Sequence, residues 1–524
     1  MQLRPYQSDC VDAIEAGFKQ FDRQLAVLPT GGGKTIIFSH LANRCPGRTL
    51  ILAHRGELIE QAHAKLRTAT GIFASVEKAE SRGSLDSKVV IGSVQTLLSP
   101  KRRERWPADH FGLVVVDEAH HALADSYKGI LTHFNAKVLG VTATPDRGDK
   151  KNLGAYFQNV AFEVSLFDLV TAKFLSPISV LAVPLRIDLS AVGSTAGDFK
   201  DDELGSAIEP YLGQIAAAIK EHAGFRRTLA FLPLIATSHK FVEACRAEGL
   251  RAEHVDGQSP DRKQILTRYA AGEFDILSNA MLLTEGYDVD SGPTGVGIDC
   301  VVVLRPTRSR PLYAQMVGRG TRTAPCKENL LLLDFLWHHK THRICKPAAL
   351  IAGSEEEADS ITELAERDAM PGEVARQLDL QELAKASSLE REEALRKKLA
   401  ALADQQKQFI SAEEFALKHN SLAAAEYQET MPWESEPVSP KQEIYLRKAK
   451  IDLSTVRSKG HASKLLGLHF NQSPLQLASA AQRDLLRRWG YDNWETATVR
   501  EASRIFAERS KRGAGRRAKQ MEMI

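Results

Sequence analysis

Two series of short, β-branched apolar runs, each run separated from the next by a stretch of helical composition, constrain this chain more than any other feature. The first series occupies 25–28, 49–53, 89–91, 113–116 and 138–141; the second, after Phe225, occupies 228–232, 252–255, 275–277, 300–304 and 330–333. Continuous apolar runs bounded by polar or turn residues are the pattern of strands buried on both faces, which is how parallel sheets are built. Alternation with helices then predicts two consecutive α/β domains. The chain has 524 residues, 43% of them hydrophobic, which is material for more than one buried core. From about Gly148 to Phe225, Pro177, Pro184 and the Ser/Gly-rich 190–197 predict a connector with a flexible insertion.

Chemistry begins where the first run ends. Leu28-Pro29-Thr30-Gly31-Gly32-Gly33-Lys34-Thr35 leads into the apolar helical stretch 36–41. A phosphate loop needs glycines (here Gly31, Gly32 and Gly33) so that backbone N–H groups turn toward phosphate, a lysine (Lys34) for the β/γ oxygens, and a hydroxyl (Thr35) for Mg²⁺. The segment supplies all three, although Leu28 stands where the usual pattern has its first glycine. A second element, Val114-Val115-Val116-Asp117-Glu118-Ala119-His120, is an apolar strand that stops abruptly at two carboxylates. Acids at the C-terminal edge of a parallel strand lie where open α/β sheets bind nucleotides. There Asp117 can hold Mg²⁺ and Glu118 can orient or deprotonate an attacking water. The expected cofactors are therefore ATP and Mg²⁺, with Thr35 and Asp117 as the metal-facing pair.

With these two elements in order, the sequence resembles a superfamily-two helicase with an Asp-Glu-Ala-His box, over about residues 3–335. Leu3-Arg4-Pro5-Tyr6-Gln7 is similar to that family's adenine-reading segment, which implies that Arg4 and Gln7 contact the nucleotide. Leu52-Ala53-His54-Arg55 and Ser93-Val94-Gln95-Thr96 resemble the segments that touch the tracking strand, implying nucleic-acid contacts at Arg55, Gln95 and Thr96. Val141-Thr142-Ala143-Thr144-Pro145 resembles the segment coupling hydrolysis to strand movement, so that Thr142 and Thr144, with His120 and Gln315, are the implied coupling residues. Residues 229–233 resemble motif IV, and Leu283-Thr284-Glu285-Gly286-Tyr287-Asp288 motif V, with Thr284 toward nucleic acid and Gly286 and Asp288 toward nucleotide. Gln315-Met316-Val317-Gly318-Arg319-Gly320-Thr321-Arg322 is similar to motif VI, whose arginines, here Arg319 and Arg322, reach the γ-phosphate. The implied catalytic set is Lys34, Asp117, Glu118, Arg319 and Arg322. The implied fold is α/β, with two tandem RecA-like parallel-sheet lobes followed by an α-helical C-terminal region.

The motif forms resemble the branch that holds the nucleotide-excision-repair helicase and the restriction-enzyme motor subunits. RNA remodelling helicases more often have histidine where Gln315 stands, so DNA is favoured over RNA as the partner. The activity implied is an ATP-dependent DNA helicase or translocase, that is, a nucleic-acid-dependent ATPase. The alternatives are an ATP-gated DNA clamp or recruitment module without strand separation, or an RNA helicase.

Charge is strongly segregated. The overall +3 is made of +4 over residues 1–354, −11 over 355–440 and +10 over 441–524. The acidic stretch has helical composition and predicts a spacer; the basic end predicts a nucleic-acid-facing accessory. That end also contains an internal repeat with an offset of 40. Gln442, Leu446, Arg447, Asp452, Ala462 and Ser463 correspond to Gln482, Leu486, Arg487, Asp492, Ala502 and Ser503. A helical pair that recruits a protein partner is the competing reading of this repeat. The expected organisation is lobe one over 1–150, connector and insertion over 151–225, lobe two over 226–350, acidic spacer over 351–437, the two-copy repeat over 438–508 and a basic tail over 509–524.

No apolar run approaches the roughly 18 to 20 residues a membrane span requires, and residues 1–21 alternate charged and apolar side chains. A cytoplasmic chain without a membrane partner is expected. The six cysteines show no C-x-x-C spacing, which argues against a zinc ribbon or a dithiol redox centre. His338, His339, His342 and Cys345 are the one tract where a metal site is conceivable.

Overall fold

The computed structural model describes residues 2–54, 56–119, 122, 125–143, 153–183, 185, 187–190, 192–195, 198–280, 297–335, 344–352, 355–367, 376–402, 410–419, 421–469, 486–491 and 505. The chain forms two compact units, one holding residues 1–3 and 10–387 and the other holding 4–9 and 388–524.

The first unit contains two seven-stranded sheets. Lobe one uses β1 (Arg23–Val27), β2 (Thr49–Ala53), β3 (Ser75–Glu77), β4 (Val89–Ser93), β5 (Leu113–Asp117), β6 (Lys137–Thr142) and β7 (Asn159–Glu163). Their order is β3-β4-β2-β5-β6-β1-β7, and every pairing is parallel. The central strands are apolar because helices cover both faces: β2 and β4 are buried throughout.

Lobe two uses β8 (Ile178–Ala182), then a two-stranded hairpin of β9 (Ser194–Thr195) and β10 (Asp198–Phe199). It continues with β11 (Thr228–Leu232), β12 (Ala252–Val255), β13 (Ile276–Ala280), β14 (Cys300–Val303), β15 (Leu330–Asp334) and β16 (Arg376–Asp379). The order is β12-β13-β11-β14-β15-β8-β16. Counted within each lobe, with the hairpin set aside, both sheets have the same order, 3-4-2-5-6-1-7. They differ at the last strand: β7 runs parallel to its neighbour, whereas β16 runs antiparallel to β8. Two lobes of one topology are thus laid out in tandem, and the α/β class with parallel-dominated sheets holds.

The strands reach beyond the expected lobe limits. β7 and β8 come from the stretch 151–225, and β16 comes from 351–437. β8 is buried at all five positions, but Pro177 and Pro184 on either side read as breakers in the sequence. Proline is compatible with a strand's end, where its missing N–H costs no ladder bond and its carbonyl remains usable; Pro177 O accepts from Leu330 N at 2.8 Å.

In the second unit the helices Ala412–Lys418, Leu422–Ala425, Pro440–Lys448 and Lys459–His469 share one apolar core, including Phe415, Leu446, Ile451, Leu465 and Leu468. Residues on either side of Pro437 therefore pack together. The repeat has a structural meaning wherever both copies are described. Leu446 and Leu486 are fully buried, while the basic pairs Arg447–Lys448 and Arg487–Arg488 are exposed. Each helix end closes the same way: Lys450 (φ 58°) and Gly490 (φ 73°) take left-handed backbone. Ile451 N donates to Leu446 O and Tyr491 N to Leu486 O, at 3.0 and 3.1 Å. In the first copy Gln442 accepts from Ser439 and donates to Lys459 O and to Ser463 Oγ, stapling one helix to the next. Gln482, Asp492, Ala502, Ser503 and the basic tail lie outside the described residues, as do His338, His339 and His342. No described helix is long and apolar enough to cross a membrane.

Candidate nucleotide-binding site

Three adjacent strands of lobe one, β5, β6 and β1, end at one edge of the sheet. Asp117 pairs with Val141 and Val27 with Thr142 in register. This brings Asp117, Thr142 and the loop after β1 side by side, at the C-terminal edge where α/β sheets bind ligands. Leu28 N donates to Thr142 O at 3.0 Å, so the loop starts from a fixed point.

Residues 29–33 then turn tightly into the helix Lys34–Arg44. Gly31 (φ 85°) and Gly33 (φ 79°) occupy left-handed backbone, which side chains disfavour, and Gly33 caps the helix. A Cβ on Gly32 would fall 3.0 Å from Pro29 O. The loop therefore aims the first turn's N–H groups and the helix dipole at one point, an arrangement suited to phosphate.

Lys34 Nζ lies 3.0 Å from Glu118 Oε1, and both side chains are only 12% exposed. Glu118 itself has φ 53°, a strained backbone for a non-glycine residue, supported by a bond from its N–H to Asp117 Oδ1 at 3.1 Å. Burial, and then the neighbouring Glu118 charge, push the Asp117 carboxyl up to about 6, while Lys34 opposes the rise. Asp117 and Glu118 set two partly buried carboxylates beside Lys34. Carboxylate and hydroxyl oxygens, here those of Asp117 and Thr35, are the donors that a hard divalent cation such as Mg²⁺ takes.

Lobe two approaches the same loop through the helix Arg310–Gly318 and the turn after it. A Cβ on Gly318 would fall 2.5 Å from Thr30 Cβ, and one on Gly31 would fall 3.0 Å from Thr321 Oγ1 and 3.8 Å from Arg322 Cγ. Only glycines permit so close an approach. Arg319 caps the helix end, and Gln315 is buried within the helix. Burial pushes the Arg322 guanidinium down to about 10, so it remains a cation at neutral pH. Thr30 Oγ1 is a buried hydroxyl without a hydrogen-bond partner among the described residues, next to the loop's glycines.

The remaining expected residues fall as follows. Gln95 is exposed on the helix Val94–Leu97 that follows β4, and Thr96 Oγ1 accepts from Ala79 N at 3.0 Å. Thr142 is buried and Thr35 half-buried. In the other compact unit, Gln7 is buried and its Oε1 accepts from Arg4 N at 3.0 Å. Arg55, His120, Thr144, Thr284, Gly286 and Asp288 lie outside the described residues. Among those described, one group of potential metal ligands gathers within 4.8 Å: His239, His254 and Asp256. Two of the three, His254 and Asp256, are already engaged by other groups. His254 Nδ1 lies 2.7 Å from Ser238 Oγ and its Nε2 3.0 Å from Asp256 Oδ2, while Asp256 Oδ1 accepts from Gln258 N and Ser259 Oγ.

Comparison with known proteins agrees with this geometry. Residues 1–147 match the family of the Type III restriction enzyme res subunit, and residues 211–324 match the helicase conserved C-terminal domain. The putative ATP-dependent helicase IRC3 of Saccharomyces cerevisiae is 31% identical over 403 residues, covering 71% of this chain and 57% of the relative. The putative mitochondrial ATP-dependent helicase irc3 of Schizosaccharomyces pombe is 32% identical, covering 64% of this chain and 57% of the relative. The chain thus spans little more than half the length of these curated relatives. Among solved structures, the ATP-dependent Type ISP restriction-modification enzyme LlaBIII bound to DNA superposes with a TM-score of 0.51 at 18% identity. It covers 71% of this chain and 31% of that one, a likeness of fold. Both lobes are thus similar to those of superfamily-two helicases, through the domain families matched over 1–147 and 211–324.

Proposed function

We propose that this chain is an ATP-dependent DNA translocase or helicase, of the Asp-Glu-Ala-His-box type its motifs resemble. The observation that carries the proposal is the division of one site between two lobes: Lys34, Asp117 and Glu118 on one side, and the turn bearing Arg319 and Arg322 packed against Gly31 on the other.

The placement of Lys34, Asp117, Glu118 and Arg322 supports the following chemistry. Lys34 neutralises phosphate oxygens and, in doing so, gives up its pairing with Glu118. Glu118, freed and held by its strained backbone beside Asp117, accepts the proton of the attacking water. Thr35 and Asp117 would hold Mg²⁺, which supplies charge neutralisation at the phosphates when bound. Arg319 and Arg322 stabilise the charge that develops on the transferred phosphoryl group. Because these groups come from both lobes, nucleotide favours the closed arrangement, and hydrolysis removes that preference. Gln95, Thr96, Arg55 and Thr284 are the proposed contacts to the tracking strand, and Thr142, Thr144, His120 and Gln315 couple the two sites. Arg4, Gln7, Gly286 and Asp288 complete the proposed nucleotide contacts.

DNA rather than RNA is the proposed partner, supported by the form of the 315–322 motif and by the restriction-enzyme family matched over 1–147. The basic pairs at Arg447–Lys448 and Arg487–Arg488 are proposed to add backbone contacts, with a protein partner as the competing use of the same surface. A cytoplasmic location is the proposed compartment, although the fission-yeast relative is described as mitochondrial.

ATP-dependent displacement of a triplex-forming oligonucleotide from duplex DNA tests the proposal. A translocase displaces it only with hydrolysable ATP; hydrolysis without displacement favours the ATP-gated clamp.

A further inference from the structure

The turn that carries Arg322 is held from behind by two residues outside every motif. Ser176 N donates to Thr321 O at 2.7 Å, and Ser176 Oγ donates to Arg322 O at 3.0 Å. Lys327 Nζ donates to the same Arg322 carbonyl at 2.8 Å and also to Gly320 O. Gly320 is wedged against the lobe-two sheet, where a Cβ would fall 2.4 Å from Leu330 Cδ1 and 3.0 Å from Val301 Cγ2. Three consecutive carbonyls, Gly320, Thr321 and Arg322, are thus tied down in a turn whose other face presents Arg322 toward Gly31.

From this convergence we infer that Ser176 and Lys327 are positioning residues for the Arg322 guanidinium. The inference rests on the catalytic reading of Arg322 given above. A side chain that must meet developing charge works only if its backbone is held to within about half an ångström, and supporting hydrogen bonds supply that. Lys327 suits the task because a flexible stem ends in several donors able to serve two carbonyls at once. Burial pushes its ammonium down to about 7, a strained setting for a lysine with only a surface role. Ser176 adds a second property. It belongs to the segment joining β7 of lobe one to β8 of lobe two, and the adjacent Leu175 packs on Gly31, with Cδ2 3.1 Å from a Cβ built there. The connector therefore touches the phosphate loop and the arginine turn through neighbouring residues, so that the two are set in register by one short stretch of chain.

The test uses the full-length chain with Ser176→Ala, Lys327→Met and Lys327→Arg. Turnover of ATP, the dissociation constant of a fluorescent ADP analogue, the melting temperature and hydrogen exchange of peptides spanning 317–324 are measured for each. Ser176→Ala and Lys327→Met are expected to lose about tenfold or more in kcat while ADP binding stays within about threefold, with exchange over 317–324 faster by about tenfold. Lys327→Arg, which keeps the donors, recovers part of the turnover lost in Lys327→Met. Unchanged kcat in both variants, or unchanged exchange over 317–324, overturns the inference. So does a parallel loss of ADP affinity, turnover and melting temperature, which marks a merely structural role. If the wild-type chain hydrolyses no ATP, the motor reading fails; the exchange measurement still decides whether the two residues hold the turn.

Discussion

Glu118→Gln separates the chemical role of the carboxylate from its structural one. In the folded protein Glu118 sits 3.0 Å from Lys34, with both groups 12% exposed. At an effective dielectric near 20, that separation corresponds to a gross attraction of about 5 kcal/mol. Desolvation of two buried ions offsets much of it. A second effect acts in the same direction: Glu118 is one of the charges that push the Asp117 carboxyl up to about 6, and the amide removes that repulsion. Glutamine keeps an oxygen for Lys34 to donate to. The net change in stability is therefore expected to stay within about 1 to 2 kcal/mol. Turnover is another matter, because an amide cannot accept the proton; a loss of about 10²- to 10⁴-fold is expected. Single-turnover phosphate release, ADP-analogue affinity and thermal melting on the same preparation give the three numbers. Near-wild-type melting and nucleotide affinity with collapsed turnover is the expected pattern, together with tighter DNA binding in ATP. Turnover within about threefold of wild type would refute the assignment of Glu118 as proton acceptor.

Arg322→Ala is expected to keep nucleotide binding and lose on the order of 10³-fold in turnover, measured at saturating ATP and DNA, since its charge acts mainly in the transition state. For the C-terminal repeat, replacing Arg447, Lys448, Arg487 and Arg488 together by alanine is preferable to truncation near Pro437, which would cut through a shared apolar core. If these side chains meet phosphates, the slope of log affinity against log salt on duplex DNA flattens by roughly two or more, at about 0.9 per contact; an unchanged slope with an unchanged helical signal assigns the surface to a protein partner. Asp256 provides a pH-dependent stability test. Against burial, which raises it, hydrogen bonds from His254, Gln258 N and Ser259 bring its carboxyl down to about 2. A depressed folded value means stability that is present above about pH 4 and lost as pH falls toward 2, amounting to about 2 to 3 kcal/mol. The melting difference between wild type and Asp256→Asn should thus be constant above pH 5 and shrink below pH 4; a difference independent of pH contradicts it.

All ten runs became strands; nine lie inside their sheets, where burial on both faces requires apolar residues, while the tenth, β12, is an edge strand buried only at Ala252 and Val255. β3, β7 and β16 escaped the reading for the converse reason. They lie at sheet edges, where one side meets solvent or other cover, and Arg376–Asp379 carries no apolar run at all. β8 escaped because its flanking prolines outweighed five buried residues. The glycine-rich loop before Lys34 and the Asp117–Glu118 pair stood out because each is contiguous in sequence, and the fold brings Lys34 within 3.0 Å of Glu118. The left-handed backbone of Glu118, the fit of Thr30 against Gly318, and the ties from Ser176 and Lys327 to the arginine turn were not. Each depends on backbone placed by distant segments, and Ser176 and Arg322 are 146 residues apart. The offset-40 repeat was visible as letters. Its meaning, a buried leucine, an exposed basic pair and a left-handed helix end, needed coordinates.

The central claim is that one site, divided between two lobes, links ATP hydrolysis to a nucleic-acid track. Steady-state ATP hydrolysis by the full-length chain, measured in parallel without nucleic acid and with saturating single-stranded DNA, duplex DNA and RNA, tests it most directly. Stimulation of about tenfold or more by at least one form of DNA, exceeding that by RNA and abolished in Glu118→Gln, is predicted. A hydrolysis rate indifferent to every nucleic acid would contradict it.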